Sequence, residues 1–271
     1  MQAGFLLRYF WVMPAIALTI AGSDPSGGAG IQGDLKTFHQ FGVYGEAVVT
    51  LITVQNTLGV SSVQVLDASL VKQQIEAVIS DMPPAAAKTG ALGNVEVVSA
   101  VAELARAFPF PLVVDPVMIS KHSARLISSE AETALRERLI PVSTLATPNI
   151  PEAEALVGFS ISTVADMEAA ARTIAKLGAR AVLVKGGHLE GEPVDVLYSG
   201  GSVRKFTGRR VSSKHTHGTG CTYSAAITAL LARGESLDNA VTRSKEFIQR
   251  AIQSAPGLGH GFGPLNHFVS T

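Results

Sequence analysis

The chain has 271 residues, 46% of them hydrophobic and 16% charged, and its 22 Lys+Arg balance its 22 Asp+Glu. That apolar weight excludes a disordered chain, and the balanced charge provides no global field to draw it to nucleic acid or to an anionic membrane. A single cysteine excludes an intramolecular disulfide and a Cys-rich metal cluster, and it fits a reducing, cytoplasmic setting.

The first residues, MQAGFLLRYFWVMPAIALTIAG, superficially resemble a secretory signal carrying Arg8. Pro14 interrupts the run, however, and no small-residue cleavage pattern follows it. No apolar stretch reaches the roughly 18 residues of a transmembrane helix, so no membrane span is expected. Residues 1–14 read as an N-terminal extension or the approach to a first strand, with Met13 as an alternative start, and 15–271 as one domain.

From Ala15 onward, short apolar runs alternate with helical patterns. AIALTIA, AVVTLITV, AAAKTG, PLVVD, TLATP and AVLVKGG are continuous apolar strands of the kind found in a parallel sheet covered on both faces. Between them GDLKTFHQFG, LVKQQIEAVISDM, EVVSAVAELARAF, SEAETALRERLI and DMEAAARTIAKLG read as helices. In the last, Met167, Ala170, Ala171, Ile174 and Leu177 make an apolar stripe that ends at Gly178. VDVLYS and SVRKFTGRRV flank Gly200-Gly201 and read as an edge hairpin. Helices after Cys221 and over roughly Ser236–Ser254 close the chain. The pattern predicts an α/β protein, a three-layer α/β/α sandwich with a mostly parallel central sheet and an edge hairpin.

His217-Gly218-Thr219-Gly220-Cys221 opens the apolar helical stretch TYSAAITALLARG. Two glycines around a threonine let the backbone turn so that several N–H groups meet at one point. The helix adds its unpaired N–H groups and the positive end of its dipole, which makes a phosphate site. A thiol at a helix start is also easily ionised, although Cys221 equally suits small-residue packing there.

Gly28-Ala29-Gly30-Ile31-Gln32-Gly33 matches G-x-G-x-x-G, but the second strand ends in Val54-Gln55-Asn56 without the acidic residue that holds a ribose. A nicotinamide or flavin site is therefore not expected. Asp115-Pro116 and Thr147-Pro148-Asn149 end two strands, and Glu152 follows in the first turn of a helix. These groups suit a hydrated Mg²⁺ beside phosphate, and Asn149 with Glu152 equally suits a capping box. Lys185, ending a further strand, is placed to neutralise phosphate. His188, His215 and His217 lack the cysteines or helical pairing of a zinc site.

Together these strings resemble the hydroxymethylpyrimidine/phosphomethylpyrimidine kinases of thiamine biosynthesis, in the ribokinase-like superfamily. The resemblance runs from Ala15 to about Phe268 and rests on ALTIAGSDPSGGAGIQGDLKTF, FGVYG with VQNTLGV, KTGALG, VVDPVM, TPNIPEAEAL, VKGGHL, THGTGCT and GHGFGPLNHF, in the family's order. It implies an enzyme that uses ATP to phosphorylate 4-amino-5-hydroxymethyl-2-methylpyrimidine and then its monophosphate, with pyridoxal or pyridoxine as the nearest alternative substrate. It further implies that Gln55 bonds the ring, with Gly22, Ala29, Asp34, Thr53, Ala91 and Val117 around it. Asn149 and Glu152 would organise Mg²⁺ and phosphate, with Asp115 and Glu152 holding the ion through water. Lys185, Thr216 and His217 would lie along the nucleotide phosphates. Gly218, Thr219 and Gly220 would form the anion hole, and Cys221 would stand where sugar kinases carry an aspartate base. The resemblance also implies a homodimer acting on a small molecule. One departure is Ile119-Ser120-Lys121-His122-Ser123-Ala124-Arg125, which keeps Lys121 but lacks the glycine and aspartate of the family's mobile loop. It bears on loop closure and on the second phosphorylation.

Overall fold

A computed structural model describes residues 13–118 and 127–271. The segment before Met13 and most of the loop that departs from the family pattern lie outside the described residues.

The apolar runs form one sheet in the order β3-β2-β1-β4-β5-β6-β7-β8-β9. Its strands are β1 (Ile16–Ser23), β2 (Tyr44–Asn56), β3 (Gly59–Val65), β4 (Ala86–Thr89), β5 (Leu112–Val114), β6 (Leu145–Ala146), β7 (Ala181–Val184), β8 (Val194–Ser199) and β9 (Ser202–Thr207). The strands β2, β1, β4, β5, β6 and β7 pair in parallel. At the far edge β7, β8 and β9 pair antiparallel, with Gly200 and Gly201 at φ +56° and +82° in the expected hairpin turn.

The opposite edge departs from expectation. Strand β2 runs to Asn56 and returns as β3, antiparallel to it, so the sheet carries a hairpin at each edge. GVSSVQV escapes a reading by apolar run because it is an edge strand with a largely exposed, polar face.

The helices are α1 (Gly30–Gln40), α2 (Ala68–Asp81), α3 (Val95–Ala105), α4 (Ser129–Ala134), α5 (Ile150–Val157), α6 (Val164–Lys176), α7 (Thr219–Ala232) and α8 (Leu237–Gln253). Alternate strand residues feed two cores. Leu18, Ile20, Val114 and Val182 face α2 to α6, whereas Ala17, Val113, Ala181 and Leu183 face α1, α7 and α8. The stripe Met167, Ala170, Ala171 and Ile174 of α6 is fully buried in the first core. Helix α4 is shorter than its pattern. It continues as a π-helical turn over Leu135–Leu139 and a tight turn over Ile140–Val142, where Pro141 has no N–H to donate.

This topology sets where a ligand goes. The chain leaves β1 to one side for β2 and returns to its other side for β4. The carboxyl ends of β1 and β4 therefore flank the switch point of the sheet, the usual ligand crevice of an open α/β fold.

Candidate active site

Helix α7 starts at that end of the sheet. Gly218 at φ +81° is its N-cap and supplies no side-chain hydrogen bond; Thr219 N–H turns back to Thr216 O at 3.3 Å, which leaves the amides of Gly220 and Cys221 for another acceptor. The turn before it is held by Thr216, whose carbonyl accepts from the Thr219 hydroxyl at 2.7 Å. Gly220 leaves the approach open: a Cβ there would lie 3.3 Å from Lys185 Nζ and 3.8 Å from Asp115 Oδ2. Helix dipole, free amides and an ammonium thus face the same small space.

Lys185 is held there rather than free. Its Nζ donates to Asp115 Oδ1 at 2.9 Å, and Asp115 also accepts from Thr147 at 3.3 Å and from Ser224 at 3.2 Å. Burial opposes the charge on Lys185, but the Asp115 and Glu152 carboxylates outweigh it and raise its pKa. Asn149 and Glu152 form a complete capping box, with Asn149 N–H to Glu152 at 2.8 Å and Glu152 N–H to Asn149 at 2.9 Å. Glu152 is 6% exposed, and burial pushes its pKa up to about 7, with Lys185 opposing and Asp115 adding. The helix-capping role of the pair is therefore present, and its buried carboxylate also belongs to the cluster around Lys185.

The expected ring-binding residues line neighbouring strand ends. Gly22 ends β1, Thr53 and Gln55 lie near the end of β2, Ala91 follows β4 and Val117 follows β5. Thr53 and Ala91 also bind backbone to side chain across the crevice: Thr53 Oγ1 donates to Ser23 O at 2.9 Å, and Thr50 Oγ1 donates to Ala91 O at 2.6 Å. Asp34 is different. It is fully buried, both its oxygens accept from Lys88 at 2.9 and 2.8 Å, and one accepts from Thr19 at 2.6 Å. Asp34 therefore backs the pocket instead of lining it.

The glycines of G-x-G-x-x-G have an account without a dinucleotide. A Cβ on Gly30 would stand 2.2 Å from Gly22 O, one on Gly28 2.7 Å from His217 Cδ2, and one on Gly218 1.8 Å from Gly28 O. The loop between β1 and α1 and the loop before α7 are pressed together backbone to backbone, and only glycine permits it.

Cys221 corrects an expectation. Burial pushes its thiol up to about 12; Lys88 pulls against that, Asp34 and Asp115 add to it, and a hydrogen bond from the Gly30 N–H lowers it. Two helix starts reach this sulfur, yet the low-dielectric site and two nearby carboxylates win. The thiol is not poised to ionise.

Three features escaped the sequence. Lys88 lies inside AAAKTG, a run taken simply as an apolar strand, and it is fully buried beneath the site. Asp24 gathers the glycine-rich loop and binds His217, which is itself buried behind the anion hole. The tail after α8 closes one side of the crevice. His217 N–H donates to Gly263 O at 3.1 Å, Gly263 N–H to His215 Nδ1 at 3.2 Å, and Phe262 N–H to Thr57 O at 2.8 Å in the β2–β3 turn. Asp24-Pro25-Ser26 carried a signal, since Asp followed two residues later by Ser is the pattern of a local side-chain turn.

A family model described as phosphomethylpyrimidine kinase matches residues 24–266, which hold all of these groups except Gly22, Ser23 and Thr19. The chain belongs to this family. It is 45% identical over 256 residues to the hydroxymethylpyrimidine/phosphomethylpyrimidine kinase of Bacillus subtilis, covering 93% of this chain and 94% of that one. It is 48% identical over 255 residues to a thiamine biosynthesis bifunctional protein of Geobacter sulfurreducens, covering 93% of this chain and 52% of that protein, so it spans about half of that relative's length. In three dimensions it superposes on the ADP complex of Bacillus subtilis pyridoxal kinase with a TM-score of 0.86 at 39% identity, covering 94% and 97% of the two chains. The fold is thus the ribokinase-like one. Among the described residues, no helix is long and apolar enough to cross a membrane.

Proposed function

We propose that the chain transfers the γ-phosphoryl group of ATP to the hydroxymethyl oxygen of 4-amino-5-hydroxymethyl-2-methylpyrimidine, and then to the monophosphate so formed. The observation that carries this reading is the uncapped start of α7 facing Lys185 Nζ at the switch point of the sheet. Phosphoryl transfer asks a protein chiefly for positioning and for stabilisation of charge on the equatorial oxygens. The turn Gly218-Thr219-Gly220 supplies the stabilisation, chiefly through the Gly220 and Cys221 amides because Thr219 N–H also donates to Thr216 O, and Lys185 bridges them toward the nucleotide with Thr216 alongside.

In this reading the pyrimidine lies over Gly22, Ala29, Thr53, Ala91 and Val117, and Gln55 matches its ring nitrogen and amino group with a donor and an acceptor. The substrate oxygen attacks phosphorus, the bond to ADP breaks, and the hydroxyl proton passes to an oxygen of the transferred phosphoryl group and from there to solvent. With its pKa at about 12, Cys221 stays a neutral thiol at physiological pH and serves as part of the cradle instead of taking that proton. A loose transition state needs little base assistance.

Asp115 and Glu152, two buried carboxyl groups that both act on the Lys185 charge, would hold Mg²⁺ through water beside the phosphates. The ion would supply charge neutralisation between the phosphates. A homodimer belongs to the same reading, supported by Ile52, Val54 and Leu58, exposed at 47%, 59% and 65% beside the free edge of β3. So does a cytoplasmic location, which fits the lone cysteine and the use of ATP.

ADP release measured with the pyrimidine alcohol, its monophosphate and pyridoxal tests the assignment. The expected order of kcat/KM places the pyrimidine first. A higher value for pyridoxal, the substrate class that the pyridoxal kinase neighbour suggests, replaces the reading with the second one.

A further inference from the structure

Asp24 is 2% exposed, and its carboxylate is the meeting point of two loops from distant parts of the chain. On one side Oδ1 accepts from Ser26 N–H at 2.8 Å and Ser26 Oγ at 2.7 Å, while Oδ2 accepts from Gly28 N–H at 3.2 Å and Ala29 N–H at 2.9 Å. On the other side His217 Nε2 donates to Oδ2 at 2.8 Å across 193 residues of sequence. The Asp24 amide itself is held by Gln32 Oε1 at 2.8 Å, and Gln32 in turn donates to Ser23 Oγ at 2.7 Å. These bonds span the place where Gly28 and Gly218 touch backbone to backbone.

His217 immediately precedes Gly218, the left-handed N-cap of α7, and Ala29 is the N-cap of α1. Neither cap residue offers a side chain to its helix. The direction in which each helix start points is therefore set from outside, and Asp24 is the group that touches the lead-in to both. Charge-assisted hydrogen bonds in a buried setting are short and directional, which suits them to this task.

We propose that Asp24 is a positioning residue for phosphoryl transfer: through His217 it fixes the angle at which the first-turn amides of α7 meet the phosphoryl group, and through Gly28 and Ala29 it docks the substrate-side loop against them. A hydrogen bond from the Gln55 side chain also reaches the Asp24 carboxylate, so Asp24 orients the residue assigned to the pyrimidine ring as well. The hydrogen bonds to its charge hold its own pKa well below the usual carboxylate range although burial works against this, so the anion persists throughout the physiological range. The proposal rests on residues 218–221 being the anion hole.

Asp24→Asn keeps the shape and removes the charge. Misaligned amides weaken an interaction made chiefly in the transition state, so kcat should fall roughly 10- to 100-fold while KM for ATP stays within about threefold. His217→Gln should give a similar fall, and the double variant should be no slower than the slower single, because both act through one contact. Multiplicative losses, or a kcat for Asp24→Asn within about twofold of the parent, overturn the proposal. Should Asp24→Asn lower the melting temperature by more than about 10 °C, His217→Gln carries the test, since it leaves every amide bond to Asp24 in place. Gly220→Ala separates the underlying reading: full turnover there overturns the anion hole and the proposal with it. Loss there with an unimpaired Asp24→Asn overturns the proposal alone.

Discussion

Glu46 offers a test of burial energetics at a distance from the chemistry. It sits near the start of β2, nine residues before Gln55, which at strand rise is roughly 30 Å away. Its side chain shares the face of Val48, toward α2, and is 6% exposed with neither oxygen hydrogen-bonded. Burial, with Asp81 adding, pushes its pKa from 4.5 up to about 7. Such a move corresponds to roughly 3 kcal/mol against the charged form, and partial access of water to a site at the foot of the sheet reduces this to about 2 kcal/mol. Below 4.5 the folded and unfolded chains both hold the proton. Between there and about 7 only the folded chain holds it, so stability falls as pH rises, and above 7 the full penalty is present. Glu46→Gln is neutral at every pH. Its stability relative to the parent should therefore rise by about 2 kcal/mol between about pH 5 and pH 8.5, several degrees in melting temperature. Urea unfolding of both chains across that range, with turnover as a control, measures it. A difference that stays constant or shrinks with pH refutes a buried, unpartnered carboxyl as the cause.

The remaining expectations concern the site. Lys88→Met strands the fully buried Asp34 carboxylate and should cost about 3–5 kcal/mol in urea unfolding, with Lys88→Met/Asp34→Asn recovering part of it. Lys185→Met removes the ammonium beside Gly220 and should lower kcat by about 10²- to 10³-fold in steady-state assays. Alkylation of Cys221 by iodoacetamide should be slow near neutrality and still rising about tenfold per pH unit near pH 9.5. A plateau near pH 7 contradicts a protonated thiol.

Most of the parallel strands were legible because they are continuous apolar runs buried on both faces, as in Ala181–Val184, whereas β2 showed as an apolar run although Ile52 and Val54 are exposed. The hairpin at 194–207 was legible because Gly200-Gly201 demands positive φ. Strand β3 was not, because an edge strand buries too little to show a pattern. At the site, strand-end and helix-start positions brought out Lys185, Glu152 and the glycines, and the family resemblance gave them their roles. Asp34 was assigned to the pocket wall because spacing cannot reveal that Lys88, 54 residues away, occupies both its oxygens. Cys221 shows the same limit. A helix start favours the thiolate locally, but the burial and the carboxylates that reverse this arrive from β4, β5 and α1 through tertiary folding.

The tail that joins Thr57 to His215 and His217 is synthesised after the rest of the crevice. Residues 257–265 come after every strand and every helix, so a nascent chain has its complete sheet before it has a finished crevice. Activity is thus expected to lag formation of the sheet during translation until residues 257–265 have left the ribosome. A ribosome-stalled chain, compared with the same chain freed by puromycin, measures that lag directly. The same order of events makes residues 257–265 a wall of the crevice, where a deletion disturbs chemistry before it disturbs the fold.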